Sequence, residues 1–430
     1  MDQVSVQADL INTNNVGTGK AVLANVSRAL EDEKKLDKCG FPKLETYFAV
    51  GTPLATSGVE AFRRERLNYD KLPNIIDGCK KLVEQVKKEE RNDLVIKINE
   101  LSATEDYKIK IPSVGDHYIS NIDTLGSLLD FTGAGSGCSK YLSKCPADLR
   151  AKNINHWLKN SNDVAKLRLR KGNAGAEMFA VVGKNYTALD VDKVATMFAE
   201  VCPSDARVEI MYDGVKSRIQ ALFHTDIKPE QGVVGEIFKA GSSVKTDDTG
   251  GGSLAGRAMA WRALCLNFTN MMTSSEIGRR KHIGKEKMLR LAVKGFINDT
   301  LERITPFTNA WKNARYENII ESAYALDVDD EPLSLNDTYN SMMNIFAGVI
   351  MSDLVPINGR KQDRIPLLME TWEKEPEPTR SGVVNTLTRF AHELEQNSPW
   401  DEDDIQDAAT DILFSRKPLP FTSATRIMVE

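Results

Sequence analysis

The sequence predicts an α+β protein with a central, mostly antiparallel sheet backed by helices and a helical C-terminal region. Three observations lead there. Runs that alternate apolar and polar residues cluster between Leu94 and Ala240. Two of them flank Asp213-Gly214, a strong short-range hairpin signal. Beyond Arg257 the apolar residues recur at helical spacing, broken at Pro332, Pro356 and Glu375–Pro378.

In chain order, the first forty residues are polar and Asn-rich, and read as an arm with one short helix near Lys20–Leu30. From Asn74 to Arg91, Ile75, Ile76, Cys79, Leu82, Val83 and Val86 form an amphipathic helix. Strands are expected at Leu94–Ile98 and Tyr107–Ile111, then a helix at Asn121–Leu129 and a glycine-rich break at Gly133–Gly137. Val164–Arg170 and Glu177–Val182 are strands turning through Lys171–Gly175, and Val191–Val201 is a helix. Arg207–Tyr212 and Val215–Phe223 form the hairpin, and Val233–Ala240 a further strand. Residues 241–256 combine Gly, Ser and Thr with few apolar anchors and read as a surface loop. Helices are expected at Arg257–Met272, Lys285–Ile304, Asn318–Leu326, Thr338–Met351, Arg380–Gln396 and Asp403–Phe414. The domain reading is 1–43 polar arm, 44–160 N-terminal α+β region, 161–306 central sheet and basic helix, and 307–430 acidic helical region.

Composition narrows the class. The 430 residues are 41% hydrophobic and 27% charged, ordinary for a globular chain. No apolar run approaches the roughly 20 residues that cross a bilayer, and the polar start lacks a secretory pattern. Cys39, Cys79, Cys138, Cys145, Cys202 and Cys265 include no C-x-x-C pair and read as buried free thiols. The net charge is −5 but uneven: residues 327–430 hold 20 acidic and 9 basic residues, leaving 47 basic against 41 acidic before them. That asymmetry suits a polyanion-facing body with an acidic tail, or an ordinary acidic helical region.

Catalytic signatures are absent from the sequence. Gly17-Thr18-Gly19-Lys20 lacks the spacing of a phosphate loop and is followed by Ala21. No two of His117, His156, His224, His282 and His392 are spaced for a helix-borne metal, and no G-x-S-x-G occurs. Acidic clusters at Asp327–Glu331 and Asp401–Asp404 read as solvated loops or helix starts. No cofactor, metal site or catalytic residue is expected.

The basic elements carry more. Lys166, Arg168 and Arg170 share one strand face opposite Leu167 and Leu169, with Lys171 and Lys184 nearby, and could track a phosphate backbone or simply form a solvated face. Tyr186 offers a stacking ring. Arg279, Arg280, Lys281 and Lys285 lead into a helix over Lys287–Ile297, whose buried stripe is Leu289, Ala292, Val293 and Phe296. Arg280, Lys287, Arg290 and Lys294 fall on its other side if the helix extends back to Arg280, and Arg257 and Arg262 on the preceding helix join them.

Several segments resemble the phage- and plasmid-encoded family known as phage/plasmid-like proteins, a conserved domain of unknown function. They are Lys140–Leu158 (KYLSKCPADLRAKNINHWL), Leu167–Asp190 (LRLRKGNAGAEMFAVVGKNYTALD), Trp261–Met271 (WRALCLNFTNM) with Arg279–Lys285 (RRKHIGK), and Asn385–Leu394 (NTLTRFAHEL). Gly133–Gly137 stands where the family has an isoleucine-proline. The element order is also similar to that of Rad-type single-strand annealing proteins, a likeness of fold only. The resemblance implies a mobile-element protein of the bacterial cytoplasm. The leading expectation is sequence-independent binding of single-stranded DNA, with strand annealing in recombination and homo-oligomerisation. Two alternatives stay open: an interaction protein that docks a host protein, and a metal-dependent enzyme on nucleic acid. Stoichiometric capture of one host protein without DNA affinity favours the first; magnesium-dependent cleavage favours the second.

Overall fold

A computed structural model describes residues 72–172, 175–227, 238–262, 268–271, 278–280, 286–320, 335–356, 361–393 and 399–421. The N-terminal arm, its short helix, the acidic Asp327–Glu331 cluster and most of Asn318–Leu326 lie outside the described residues. The fold is α+β, with two mostly antiparallel sheets and a helical C-terminal region. The chain divides into two compact units: Lys88–Tyr186 form one, residues 72–87 with Thr187 onward the other.

The first unit holds β1 (Asn92–Lys97), β2 (Ser102–Ala103), β3 (Lys108–Ile111), β4 (Gly115–Ile119), β5 (Val164–Gly172) and β6 (Gly175–Gly183). Their order is β1-β5-β6-β4-β3-β2, antiparallel except where β4 meets β6. One face buries Ile96, Leu167, Leu169, Met178 and Val181 against Leu125, Leu128, Ile154 and Leu158. These come from α2 (Ile122–Asp130) and α4 (Ala147–Asn160), separated by the short α3 (Cys138–Leu142). The side chain of Asn121 caps α2 by accepting from the Thr124 backbone N–H at 2.8 Å.

The second unit begins with α1 (Ile75–Lys87) and resumes with α5 (Val191–Val201), followed by β7 (Arg207–Tyr212), β8 (Lys216–Ile227), β9 (Phe238–Asp247) and β10 (Leu254–Arg262). The sheet runs β11-β10-β9-β8-β7, where β11 is Phe268–Asn270; β12 (Gly278–Arg280) also pairs with β10. Alternation works as the sequence suggests: Ile210, Ile219, Val244 and Ala258 point into a core with Ile75, Leu82, Val194 and Phe198 of α1 and α5. The core continues into α6 (Glu286–Glu302), α7 (Ile304–Tyr316), α8 (Leu335–Met351), α9 (Lys361–Glu373), α10 (Arg380–Glu393) and α11 (Pro399–Phe414). The buried Arg380 guanidinium binds both carboxylate oxygens of Glu317, at 2.6 and 2.5 Å, and the carbonyls of Ile412 and Lys417.

Several stretches differ from the sequence reading. Residues 241–247 extend a strand instead of opening a loop; 254–262 form a strand where a loop to 256 and a helix from Arg257 are expected, and Phe268–Asn270 of that expected helix form a strand as well. Small residues are needed here because the strands approach closely: a Cβ on Gly241 would stand 2.6 Å from the carbonyl oxygen of Ala221. Turn-like composition thus reflects buried packing of Ser242 and Ser243. The sequence reading also expects no helix at α4, α7 or α9; the last two carry Pro306 in the first turn and Pro366 within the helix.

Candidate nucleic-acid interface

In the first unit, strand alternation places Lys166, Arg168 and Arg170 on the face of β5 opposite Leu167 and Leu169, which point into the core. Arg168 and Arg170 are nevertheless only 1% and 3% exposed. Arg168 Nε donates to Asp93 Oδ1 at 3.1 Å, and Arg170 Nε donates to Glu177 Oε2 at 3.2 Å. Glu89 lies 3.6 Å from Arg170 Nη1 and accepts from Arg91 Nε at 2.9 Å. A β-bulge opposite Arg168/Leu169 frees Phe179 from the pairing register. The guanidiniums of Arg91, Arg168 and Arg170 surround its ring, 5.0, 5.0 and 5.1 Å from the centroid. Three cations, each paired with a carboxylate, thus share one buried ring. The solvated cation row that alternation alone suggests does not form at these two arginines. Lys166 Nζ donates to the Tyr186 carbonyl at 2.5 Å, and the half-buried Tyr186 ring lies 5.5 Å from Arg168. Lys171 is exposed beside Glu90, and Lys184 is exposed.

In the second unit, Arg257 lies in strand β10, where its Nη2 donates to Asp407 Oδ2 on α11 at 2.7 Å, both groups largely buried. Arg262 ends β10 opposite Phe238. Arg279 and Arg280 belong to β12, paired with Ala255 and Leu254. Arg280 therefore sits on a strand and not on a helix extended back from Lys287. Lys281 and Lys285 lie outside the described residues. The helix α6 buries Val293, Phe296 and Ile297. Its other side exposes Lys287, Arg290 and Lys294, with Met288 64% and Leu291 54% exposed among them. Arg290 forms an exposed ion pair with Glu200 of α5. The helix is seated by Phe296 on a cross-strand pair of glycines, Gly256 of β10 and Gly278 of β12.

A further cationic group escapes sequence reasoning. On the face of this sheet opposite the core, Arg218 pairs across strands with Lys245, and Ser243 with Arg257. The backbone register carries the Lys245 row on through Ala255 to position 279. Burial, then Arg257 and Arg218, hold the Lys245 ammonium well below the usual lysine range. Burial raises the Asp407 carboxyl even though Arg257 and Lys245 pull it down. The signal was present as the alternation of Arg218 and Gln220 with Ile219 and Ala221. It was hidden because register, not sequence proximity, assembles the row.

Among the described residues no group of three or more His, Cys, Asp or Glu side chains could hold a metal, and no helix is long and apolar enough to cross a membrane. Comparison with protein families, curated proteins and solved structures finds no match.

Proposed function

We propose that the protein binds single-stranded nucleic acid without sequence preference, and that it serves strand annealing or recombination for a phage or plasmid in the bacterial cytoplasm. The observation that carries this reading is the outward side of α6. Lys287, Arg290 and Lys294 are exposed there, interleaved with exposed Met288 and Leu291, directly after the Arg279-Arg280 strand. From Gly278 to Lys294 the chain holds seven Lys and Arg and a single acid, Glu286. Cations satisfy phosphates at a salt-dependent affinity, and apolar side chains between them accept the faces of unstacked bases. Binding of this kind needs no covalent chemistry: the protein holds the sugar-phosphate backbone while base edges stay open for pairing. Oligomerisation would extend the cationic surface along the strand.

The test is fluorescence anisotropy with labelled single-stranded and duplex DNA over a salt series with EDTA present. The triple variant K287A/R290A/K294A is expected to weaken binding and to flatten the salt slope by about 0.7 for each phosphate that is no longer neutralised. Affinity and slope equal to the unaltered protein would refute this site.

A further inference from the structure

The exposed side of α4, in the first unit, combines aromatic and cationic groups in a way the fold does not require. Ala151, Ile154 and Leu158 face the sheet. On the opposite side helical spacing aligns Leu149, Asn153, His156 and Asn160, flanked on one edge by Trp157 and on the other by Lys152 and Lys159. Trp157 is 38% exposed, and His156 meets it edge-on with ring centroids 5.7 Å apart. From Lys140 to Asn160 the chain carries five Lys and Arg against one acid, Asp148. That acid pairs with Lys152 at 3.3 Å, but the pair is solvent-exposed and therefore weak.

The helix is also held as a rigid platform. Arg150 stacks 3.6 Å over the Tyr107 ring and donates to the carbonyls of Glu105 and Cys145. Asn155 accepts from the Ala103 N–H at 2.7 Å and donates to its carbonyl at 2.8 Å. An indole at the surface on one edge of the helix and two lysines on the other, on a support tied down by these hydrogen bonds, match a ligand with flat apolar faces and regularly spaced negative charge that crosses the helix.

We propose that this side of α4 is a base-stacking site: the Trp157 indole takes an unstacked nucleobase, and Lys152 and Lys159, on the far edge of the helix, hold phosphates further along the strand as it crosses. The proposal rests on the single-strand reading above and deepens it, because a duplex keeps its bases stacked and offers the indole no free face. Of the five tryptophans Trp261, Trp311 and Trp372 are buried, and the difference in emission between the unaltered protein and Trp157→Phe isolates the Trp157 signal.

The experiment titrates the full chain with oligothymidylate and with a duplex of equal length, reading anisotropy and tryptophan emission across a salt series. Trp157→Ala is expected to weaken single-strand binding about tenfold at an unchanged salt slope. Trp157→Phe keeps a ring and loses less. K152A/K159A is expected to lower the slope by about 1.4, two phosphates at roughly 0.7 each. If Trp157→Ala binds like the unaltered protein while K287A/R290A/K294A does not, this site is wrong and the α6 reading stands. If the unaltered protein binds neither strand form, both are wrong.

Discussion

The ring of Phe296 occupies the space that a side chain at Gly256 would fill: a Cβ built there would stand 1.9 Å from Phe296 Cγ. The partner glycine across the strand pair, Gly278, would place a Cβ 2.5 Å from the same ring. A helix that carries exposed cations on one side is thus located by one aromatic ring lying on bare backbone. Gly256→Ala is expected to cost about 1–3 kcal/mol through overpacking, and Phe296→Ala about 3–5 kcal/mol. Urea denaturation of both variants and of the double variant checks this. The double variant should cost less than the sum of the singles, because the clash disappears with the ring.

Lys245 makes a prediction about pH. Its folded-state pKa is depressed by burial, Arg257 and Arg218. The folded protein therefore binds this proton less tightly than the unfolded chain, whose lysine titrates near 10.5. The penalty is present in full below the folded pKa and fades as pH rises toward 10.5, so this residue makes stability increase with pH in that window. Lys245→Met should remove the penalty and raise the melting temperature at neutral pH. Thermal melts at neutral and at alkaline pH should show the variant's advantage shrinking at the higher pH; a variant that melts lower at neutral pH would overturn the assignment.

The buried pair of Arg170 and Glu177 should matter for stability and not for salt-dependent binding. Removing Arg170 leaves the Glu177 carboxylate buried without this cation, at a cost of about 3–5 kcal/mol, and removing Glu177 takes from Arg170 its carboxylate at 3.2 Å and leaves Glu89 at 3.6 Å. Glu177→Ala is thus expected to lower the denaturation midpoint sharply. Arg170→Met, which removes the charge but keeps bulk against Phe179, should cost less when paired with Glu177→Gln than when made alone. At temperatures where the variants remain folded, the nucleic-acid salt slope should be unchanged.

Cysteine reactivity offers an independent check of the second core. Burial pushes the Cys79 thiol up to about 12, and burial with the neighbouring Cys79 raises that of Cys202. Neither should supply thiolate at mildly alkaline pH. Iodoacetamide followed by peptide mapping should leave both unmodified in the native protein and label both in urea. Native labelling at Cys79 would mean that α1 does not pack on α5 as described.

Much of the fold was legible because local pattern and tertiary role agree. The apolar stripe of α1, the alternation of β5 and β6, and the Asp213-Gly214 turn each state their buried face directly. Reading failed where small residues serve packing. Gly241, Ser242 and Ser243 look like a loop until the closeness of β8 is known, and Arg257, Met259 and Trp261 look helical until their neighbours Ala258 and Ala260 are seen to face the opposite side. The candidate site was less legible. Alternation tells that Arg168 and Arg170 share a face but not that Asp93, Glu177 and Phe179 meet them there. The Arg218–Lys245–Arg257 group requires strand register, which no linear spacing reveals. On α4, by contrast, the spacing of Lys152, His156, Trp157 and Lys159 was readable once the segment was known to be helical.

The way α1 belongs to the second unit has a consequence for how the chain reaches this structure in a cell. Its apolar stripe, Ile75, Cys79, Leu82 and Val86, packs with α5 and β7, whose residues begin only at Val191 and Arg207. At synthesis rates of about 5–20 residues per second, the helix waits on the order of 5–20 seconds after leaving the ribosome before its partners emerge. During that interval the intervening unit can complete its own sheet, while the stripe stays open to chaperones and to neighbouring nascent chains. Expression yield should therefore respond to the spacing between these segments in the message as well as to the stability of the finished protein.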